Sequence, residues 1–219
     1  MHSCLSPCAS LEMGPNAIVQ QALRVGLDLI ALTDHNAAFN VPAFHACCTK
    51  AGIHAFYGME LTTIEEVHML CLFDDPLAAI DWGEEVYDRL PPIPNDPKRF
   101  GDQPIVDAEE NIIGFAEKLL LSASDLTISD AVKEVHQRGG LAIPAHIDRV
   151  VFGLLAQLGF LPDEPFDAVE LTSAAPDSLA GKYPILRHSD AHQLRRIGAV
   201  RTELPLREAT LDALRTVLH

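Results

Sequence analysis

The sequence is short of positive charge and contains no long apolar run. Its 219 residues include 16 Lys and Arg against 31 Asp and Glu, which gives a formal net charge of −15. Nucleic acids and membrane surfaces are bound through clustered Lys and Arg, so extended nucleic-acid binding is not expected. No apolar segment reaches the roughly 18 residues of a membrane helix, and no charged-then-apolar leader is found. We therefore expect no membrane association and a cytoplasmic protein.

Paired cysteine motifs are also lacking. The five cysteines are odd in number and show no Cys-x-x-Cys spacing, which indicates a reducing compartment rather than a disulfide framework or a zinc finger. The sequence has neither an internal repeat nor a low-complexity tract, and 48% of its residues are hydrophobic, enough to bury a substantial core. We interpret residues 1–219 as a single α/β domain, and its oligomeric state stays open.

Short apolar runs alternate with amphipathic segments along most of the chain, a pattern typical of βα units. The predicted strands span 27–33, 53–61, 67–73, 141–144, 168–171 and 184–186. Helices are predicted from Pro15 to Gly26, from a cap at Asn40 to Gly52, after a capping box at Thr127, and near 206–218. Residues 76–124 interrupt the pattern, and we interpret them as an insertion with helices at 76–90 and 108–121.

Polar side chains stand at or beside the ends of these strands, where strand packing does not require them. They are His2, Cys8, Asp34, His35, Glu60, His68, His146, Asp190 and His192. In α/β barrels the carboxyl ends of the strands share one face, which carries the site. Imidazoles and carboxylates together suit divalent ions such as zinc, manganese or iron. Two or three such ions held close together can clamp a transferring phosphoryl group.

Taken in order, these residues resemble the PHP family, named for polymerase and histidinol phosphatase. The resemblance rests on His2-Ser3-Cys4-Leu5-Ser6-Pro7-Cys8, Leu32-Thr33-Asp34-His35-Asn36, Gly58-Met59-Glu60, His68, Pro144-Ala145-His146 and Ser189-Asp190-Ala191-His192. It covers most of the chain. It implies a distorted seven-stranded βα barrel, two to three divalent metal ions, and phosphoester hydrolysis by a metal-bridging hydroxide.

The resemblance also implies a role for each matching residue. The first ion would be held by His2, Glu60 and Asp190, the second by Glu60, His68 and His146, and the third by His35, His192 and Cys8. Glu60 and Asp190 would thus be catalytic, together with Asp34, which would orient the ligands from outside the metal shell. Arg149 or Arg195 would contact the phosphate of the substrate.

Two positions depart from the family pattern. The family's first motif is normally His-x-His after a strand, yet this sequence begins at the middle position with Met1. Either the true start lies upstream and the first strand is missing here, or the first metal site is impaired. We favour the missing strand, because the other ligands are complete and a barrel without its first strand has an unpaired edge. Cys8 stands where His or a carboxylate is often found, and both a ligand and a loop thiol stay open for it.

Three functions compete. The leading prediction is a metal-dependent phosphoesterase acting on a small phosphorylated metabolite or nucleotide. The second is an amidohydrolase, which is disfavoured because no predicted strand ends in a Lys suited to bridge two metals as a carbamate. The third is a catalytically impaired, metal-dependent binding module, which the missing first His favours.

Overall fold

The computed structural model describes residues 1–173 and 181–218. The helices are α1 (Pro15–Arg24), α2 (Val41–Ala51), α3 (Pro76–Asp88), α4 (Pro97–Phe100), α5 (Ile128–Gln137), α6 (Leu154–Leu158) and α7 (Leu211–Leu218). The strands are β1 (Leu29–His35), β2 (His54–Thr62), β3 (His68–Phe73), β4 (Pro104–Val106), β5 (Ile112–Phe115), β6 (Leu141–Pro144), β7 (Val169–Glu170) and β8 (Ile185–Leu186). A 3-10 turn spans Leu194–Arg196.

The central sheet has four strands in the order β1-β2-β3-β6 and is mixed. β1 and β2 are parallel, whereas β3 is antiparallel to both of its neighbours. The parallel pair β7–β8 continues the wall beyond β6, because Ile147 N donates to Glu170 O and Asp167 N donates to Ala142 O. The α/β class is therefore confirmed, but the sheet is not uniformly parallel.

Side chains alternate across this sheet and bury two apolar layers. Along β3, Met69 and Cys71 pack with α2, α3 and α5 in the larger core, where Phe44 and Trp82 are fully buried. Leu70 and its alternate neighbour Leu72 point to the opposite face and join a second core, which α7 covers. Burial on both faces explains the nearly continuous apolar runs of the strand sequences.

The described strands do not close into a barrel. β1 and β8 do not pair in the described part of the chain, and a groove of about 790 Å³ lies between them. Its apolar lining includes Leu29, Phe56, Leu70, Leu72, Leu186, Leu204, Leu206 and Leu214. At one end, Thr33 N donates to Met1 O (2.9 Å) and His2 N donates to Ala191 O (3.0 Å). The seven-strand count stays a prediction.

The segment 76–124 differs from its prediction at one helix. The helix predicted over 76–90 is present as α3, but the helix predicted over 108–121 is wrong. Asp107 accepts hydrogen bonds from the backbone N–H groups of Glu109 and Asn111, which closes a turn. β-branched Ile112 then starts β5, which pairs with β4. The interpretation of this segment as an insertion into a single domain stays a prediction.

Across residues 1–173 and 181–218, none of the helices combines the length and the apolar character needed to cross a bilayer.

Candidate metal centre

Strand direction and register bring the central site residues to one edge of the sheet. His35 is the last residue of β1 and pairs in register with Glu60 of β2. Because β3 is antiparallel, its first residue, His68, lies at the same edge, opposite Thr62. His146 follows β6 by two residues and is buried at this edge as well. The four polar strand ends therefore converge, as the sequence predicts.

Glu60 lies at the centre of this cluster and is 2% exposed. Its Oε1 atom lies 3.0 Å from His146 Nε2 and 3.2 Å from His68 Nδ1. Its Oε2 atom lies 3.3 Å from both His2 Nε2 and His35 Nδ1. A buried carboxylate is costly unless opposite charges or donors surround it. Four imidazoles therefore make this one carboxylate the organising group of the site.

Asp190 and His192 close the other side of the cluster. Asp190 Oδ1 lies 3.2 Å from His2 Nε2, and its Oδ2 accepts a hydrogen bond from Arg149 Nη1 at 2.8 Å. The rings of His2 and His192 stack with centroids 4.1 Å apart. Asp190 adopts a left-handed backbone with φ 43°, which is uncommon outside glycine. The backbone is thus bent where this carboxylate enters the site.

Asp34 organises the amino-terminal loop. Its Oδ1 accepts from Ser3 N and Ser6 Oγ, both at 2.7 Å, and its Oδ2 accepts from Ser3 Oγ at 2.6 Å. Ser6 Oγ in turn lies 3.0 Å from His2 Nδ1 and accepts from His35 N. Asp34 therefore acts on two histidines through Ser6. Asp34 is thus placed to orient both histidines without entering the cluster itself.

Four residues that support the cluster through hydrogen bonds were given no role in the sequence analysis: Ser3, Ser6, Asn36 and Glu170. Asn36 is fully buried with φ 49°, a conformation that asparagine tolerates, and its side chain donates to Leu120 O and Ser122 O. Glu170 accepts a hydrogen bond from His146 N at 3.0 Å. A carboxylate inside the predicted strand 168–171 was the signal that could have revealed Glu170.

The donor atoms fit a divalent cation. His146 Nδ1 is buried without a hydrogen-bond partner. His35 Nδ1 and His68 Nδ1 are also buried and lie 3.3 and 3.2 Å from the Glu60 carboxylate without forming a hydrogen bond, although buried polar atoms are normally satisfied. Three donor sets have ligand atoms within 4.8 Å of one another: His2, His35 and His192; His35, Glu60 and His68; His2, Glu60 and Asp190. Nitrogen and carboxylate donors at this spacing suit zinc, manganese or iron.

Both carboxylates are held in the ionised form. Burial alone would raise the pKa of Glu60, but the charge of His68 and the hydrogen bond from His146 outweigh it and hold that pKa well below its usual value. Burial would likewise raise the pKa of Asp190, and the hydrogen bond from His2 reverses the effect. Both groups are therefore anions at neutral pH, the form that binds cations.

The imidazoles divide into two kinds. Burial lowers the pKa of His35 and of His192, and the charge of His2 lowers both further. Burial would lower the pKa of His2 too, but its contacts with Asp190 and Glu60 raise it to about 9. His35 and His192 are therefore neutral imidazoles at pH 7, the form that can bind a cation. His2 carries a proton that a bound cation would displace.

The remaining predicted residues lie around a cavity of about 340 Å³ over this cluster. Cys8 is exposed and lines the cavity, but it belongs to none of the three donor sets found among the described residues. Arg149 lines the cavity beside Asp190. Arg195 is exposed, donates to Gln193 Oε1 at 2.9 Å and does not line the cavity. The structure therefore brings one of the two candidate arginines to the site.

Comparison with known proteins establishes the family. The family model for the PHP domain matches residues 1–148. This match covers more than half of the chain, so the chain belongs to the PHP domain family. No curated protein matches the sequence.

Solved structures share the fold at low sequence identity. Lesion-specific endonuclease Q from Pyrococcus furiosus superposes with a TM-score of 0.71 at 19% identity, over 100% of this chain and 54% of its own. A proposed metal-dependent phosphoesterase from Bifidobacterium adolescentis superposes with a TM-score of 0.62 at 17% identity, over 99% of this chain and 93% of its own. An amidohydrolase from Chromobacterium violaceum superposes with a TM-score of 0.58 at 18% identity, over 93% of this chain and 90% of its own. The chain thus spans about half the length of endonuclease Q.

Proposed function

We propose that this PHP-family protein is a metal-dependent phosphoesterase that hydrolyses a small phosphorylated metabolite or nucleotide. The observation that carries the proposal is the buried Glu60 carboxylate with four imidazoles within 3.3 Å. Three ring nitrogens of this cluster, His35 Nδ1, His68 Nδ1 and His146 Nδ1, are buried and form no hydrogen bond, which a purely structural role would not require. The free cysteines Cys4, Cys8, Cys47, Cys48 and Cys71 support a cytoplasmic location.

We propose that the cluster holds two to three divalent ions. We assign the first to His2, Glu60 and Asp190, the second to Glu60, His68 and His146, and the third to His35, His192 and Cys8. When bound, such ions neutralise charge on a phosphoryl group and lower the pKa of water. The first set is one of the groupings within 4.8 Å, and His146 completes the second through its 3.0 Å contact with Glu60.

Other residues of the chain would bind and orient the substrate. Arg149 lies over Asp190 at the cavity, where its guanidinium can donate two hydrogen bonds to phosphate oxygens. Asp34 holds His2 in place through Ser6, and thus keeps an imidazole directed at Glu60. His2 would release its proton on cation binding, so that metal affinity rises with pH up to about 9.

The competing functions are less well supported. An amidohydrolase shares the fold, but none of the described residues lining the site cavity is a lysine, so a carbamate bridge has no source. Endonuclease Q has been solved with duplex DNA containing an abasic lesion. The net charge of −15 in this chain disfavours an extended DNA surface. An impaired metal-binding module would keep the ligands without turnover.

The test is hydrolysis of 4-nitrophenyl phosphate by the protein loaded with zinc or manganese. We expect His35→Ala and Asp190→Asn each to lower kcat/KM by about a hundredfold or more, because each removes a metal ligand. His54→Ala is the matched control, since His54 is exposed at the far end of β2. Metal per chain, measured by elemental mass spectrometry, should fall in the two site variants alone.

Each competing function predicts a different outcome of these measurements. Unchanged turnover in both site variants would refute the proposal. Amide or lactone hydrolysis without phosphatase activity would favour an amidohydrolase. Stoichiometric metal and phosphate binding without turnover would favour a binding module, and incision of abasic duplex DNA would favour an endonuclease.

A further inference from the structure

The cavity over the metal centre has two chemically different sides. One side consists of the imidazoles and carboxylates of the cluster, with Arg149 at its rim. The other side is apolar and is formed by Leu121, Val151 and Phe152, which we call the apolar wall. At about 340 Å³, the cavity is near the lower end of ligand pockets, so it suits a small molecule. A ligand that fills it must touch both sides.

Phe152 is held in the wall by the metal centre itself. Its ring stacks on that of His68 with centroids 4.4 Å apart and an interplanar angle of 6°. Its carbonyl accepts a hydrogen bond from His68 N at 3.1 Å. Its φ of 57° is rare for a bulky side chain. These contacts fix the position of the wall relative to His68.

The turn that carries the wall is tightly packed. A Cβ atom on Gly153 would lie 2.1 Å from Arg149 O, so this turn requires glycine. The same turn leaves Val150 and Val151 exposed by 85% and 60%. Val151 lines the cavity and Val150 does not. Two adjacent valines therefore differ in their access to the cavity while sharing side-chain type and exposure to solvent.

We infer that the apolar wall selects phosphoesters whose leaving group is flat and apolar. This inference rests on the proposed function, because the phosphoryl group must lie on the polar side next to Arg149. The ester oxygen then directs the leaving group away from the charges, towards Val151 and Phe152. A flat apolar group gains binding free energy by covering these side chains, whereas the hydroxyls of a polyol would lack hydrogen-bond partners there.

The test compares benzyl phosphate with glycerol 1-phosphate. Both are esters of primary alcohols, so the comparison reports recognition more than leaving-group chemistry. The metal-loaded protein should prefer benzyl phosphate in kcat/KM. Val151→Ser should reduce that preference by about fivefold or more, and Phe152→Leu should reduce it as well. Val150→Ser is the matched control and should leave the preference unchanged.

Binding provides a measurement independent of turnover. By calorimetry, benzylphosphonate should bind more tightly than 2-hydroxyethylphosphonate, and Val151→Ser should weaken the first without affecting the second. Metal per chain should be unchanged in Val151→Ser, because the substitution lies on an exposed side chain.

The outcomes separate this inference from the proposed function. Hydrolysis of both esters with no preference, or a preference unaffected by Val151→Ser, would overturn the inference and leave the phosphoesterase in place. Preferential binding of benzylphosphonate without hydrolysis of any ester would support recognition by the apolar wall and refute the proposed phosphoesterase activity. If the protein shows no binding preference and no turnover, both the inference and the proposed function are overturned.

Discussion

At the scale of single residues, Cys8 differs from the other cysteines. Cys4, Cys47, Cys48 and Cys71 are buried, whereas Cys8 is exposed at the cavity. Desolvation of its thiol, with a smaller contribution from the charge of Glu60, raises the pKa of Cys8 to about 12. The thiol is therefore protonated at neutral pH in the absence of a cation. A coordinating cation would deprotonate it.

This contrast yields a prediction about labelling. With iodoacetamide, the native metal-free protein should be modified at Cys8 alone, slowly at pH 7.5 and about tenfold faster at pH 8.5, since the thiolate is the nucleophile. Zinc loading should slow the reaction by coordinating Sγ. Peptide mass spectrometry measures both rates, and Cys8→Ser should abolish labelling. Equal rates with and without zinc would make Cys8 a loop thiol.

Residue identity pointed to the candidate donors but not to their supporting contacts. His35, Glu60, His68, His146, Asp190 and His192 were recognisable because an imidazole or carboxylate at a strand end is unusual. Ser3 and Ser6 carry no such signal, since serine is ordinary in a loop. Their roles come from contacts with Asp34, about 30 positions away in the chain. Arg149 and Arg195 looked equivalent until the fold placed one at the cavity.

At the scale of elements, the close packing of β2 depends on Gly58. A Cβ atom there would lie 1.8 Å from Cys71 O of the neighbouring strand, and backbone cannot yield as a side chain can. Gly58 also precedes Glu60 by two residues on the same strand. The glycine of the Gly58-Met59-Glu60 motif therefore sets how closely β3 approaches β2.

We expect Gly58→Ala to lower the free energy of unfolding by about 3 kcal/mol, the upper part of the range for overpacking, which corresponds to about 6–12 °C in Tm. Gly114→Ala is the matched strand control, because its Cβ atom would lie 3.8 Å from the nearest atom, Ile105 Cδ1. This substitution should lower the free energy of unfolding by less than about 1 kcal/mol. Thermal unfolding by circular dichroism measures both. Equal Tm values for the two variants would contradict this account of β2.

Local sequence patterns predicted most helices and strands. They failed where a side chain forms hydrogen bonds with residues distant in the chain. The strand at 141–144 and the capping box at Thr127 occur as predicted. Asn40 does precede α2, but its side chain does not cap the helix. It donates to Ser3 Oγ and Pro104 O instead. Sequence spacing could not show this, because both partners are distant in the chain.

At the scale of the whole molecule, the candidate metal centre joins distant parts of the chain. Its donors extend from His2 to His192 and come from the amino-terminal loop, three strands and two later loops. A cation bound by such a set binds the folded state and not the unfolded chain. Binding free energy then adds to stability.

We therefore expect zinc or manganese at a hundredfold excess over its Kd to stabilise the protein by about 2.7 kcal/mol, which is about 5–10 °C in Tm. Chelation with EDTA should reverse the shift. Glu60→Gln should abolish it, whereas Glu117→Gln, on an exposed side chain, should keep it. Calorimetric scans with and without metal measure the shifts. A shift of equal size in Glu60→Gln would show that the metal binds elsewhere.

The sequence by itself determined the chemistry of the donors and the alternation of strands and helices, because both follow from residue type and short-range spacing. Only the tertiary structure decided how the donors group. His68 begins its strand, and it joins His35 and Glu60 because β3 runs antiparallel to β2. The open groove between β1 and β8 likewise emerges from strand pairing. Strand direction and register are set by contacts between distant segments, which no local pattern encodes.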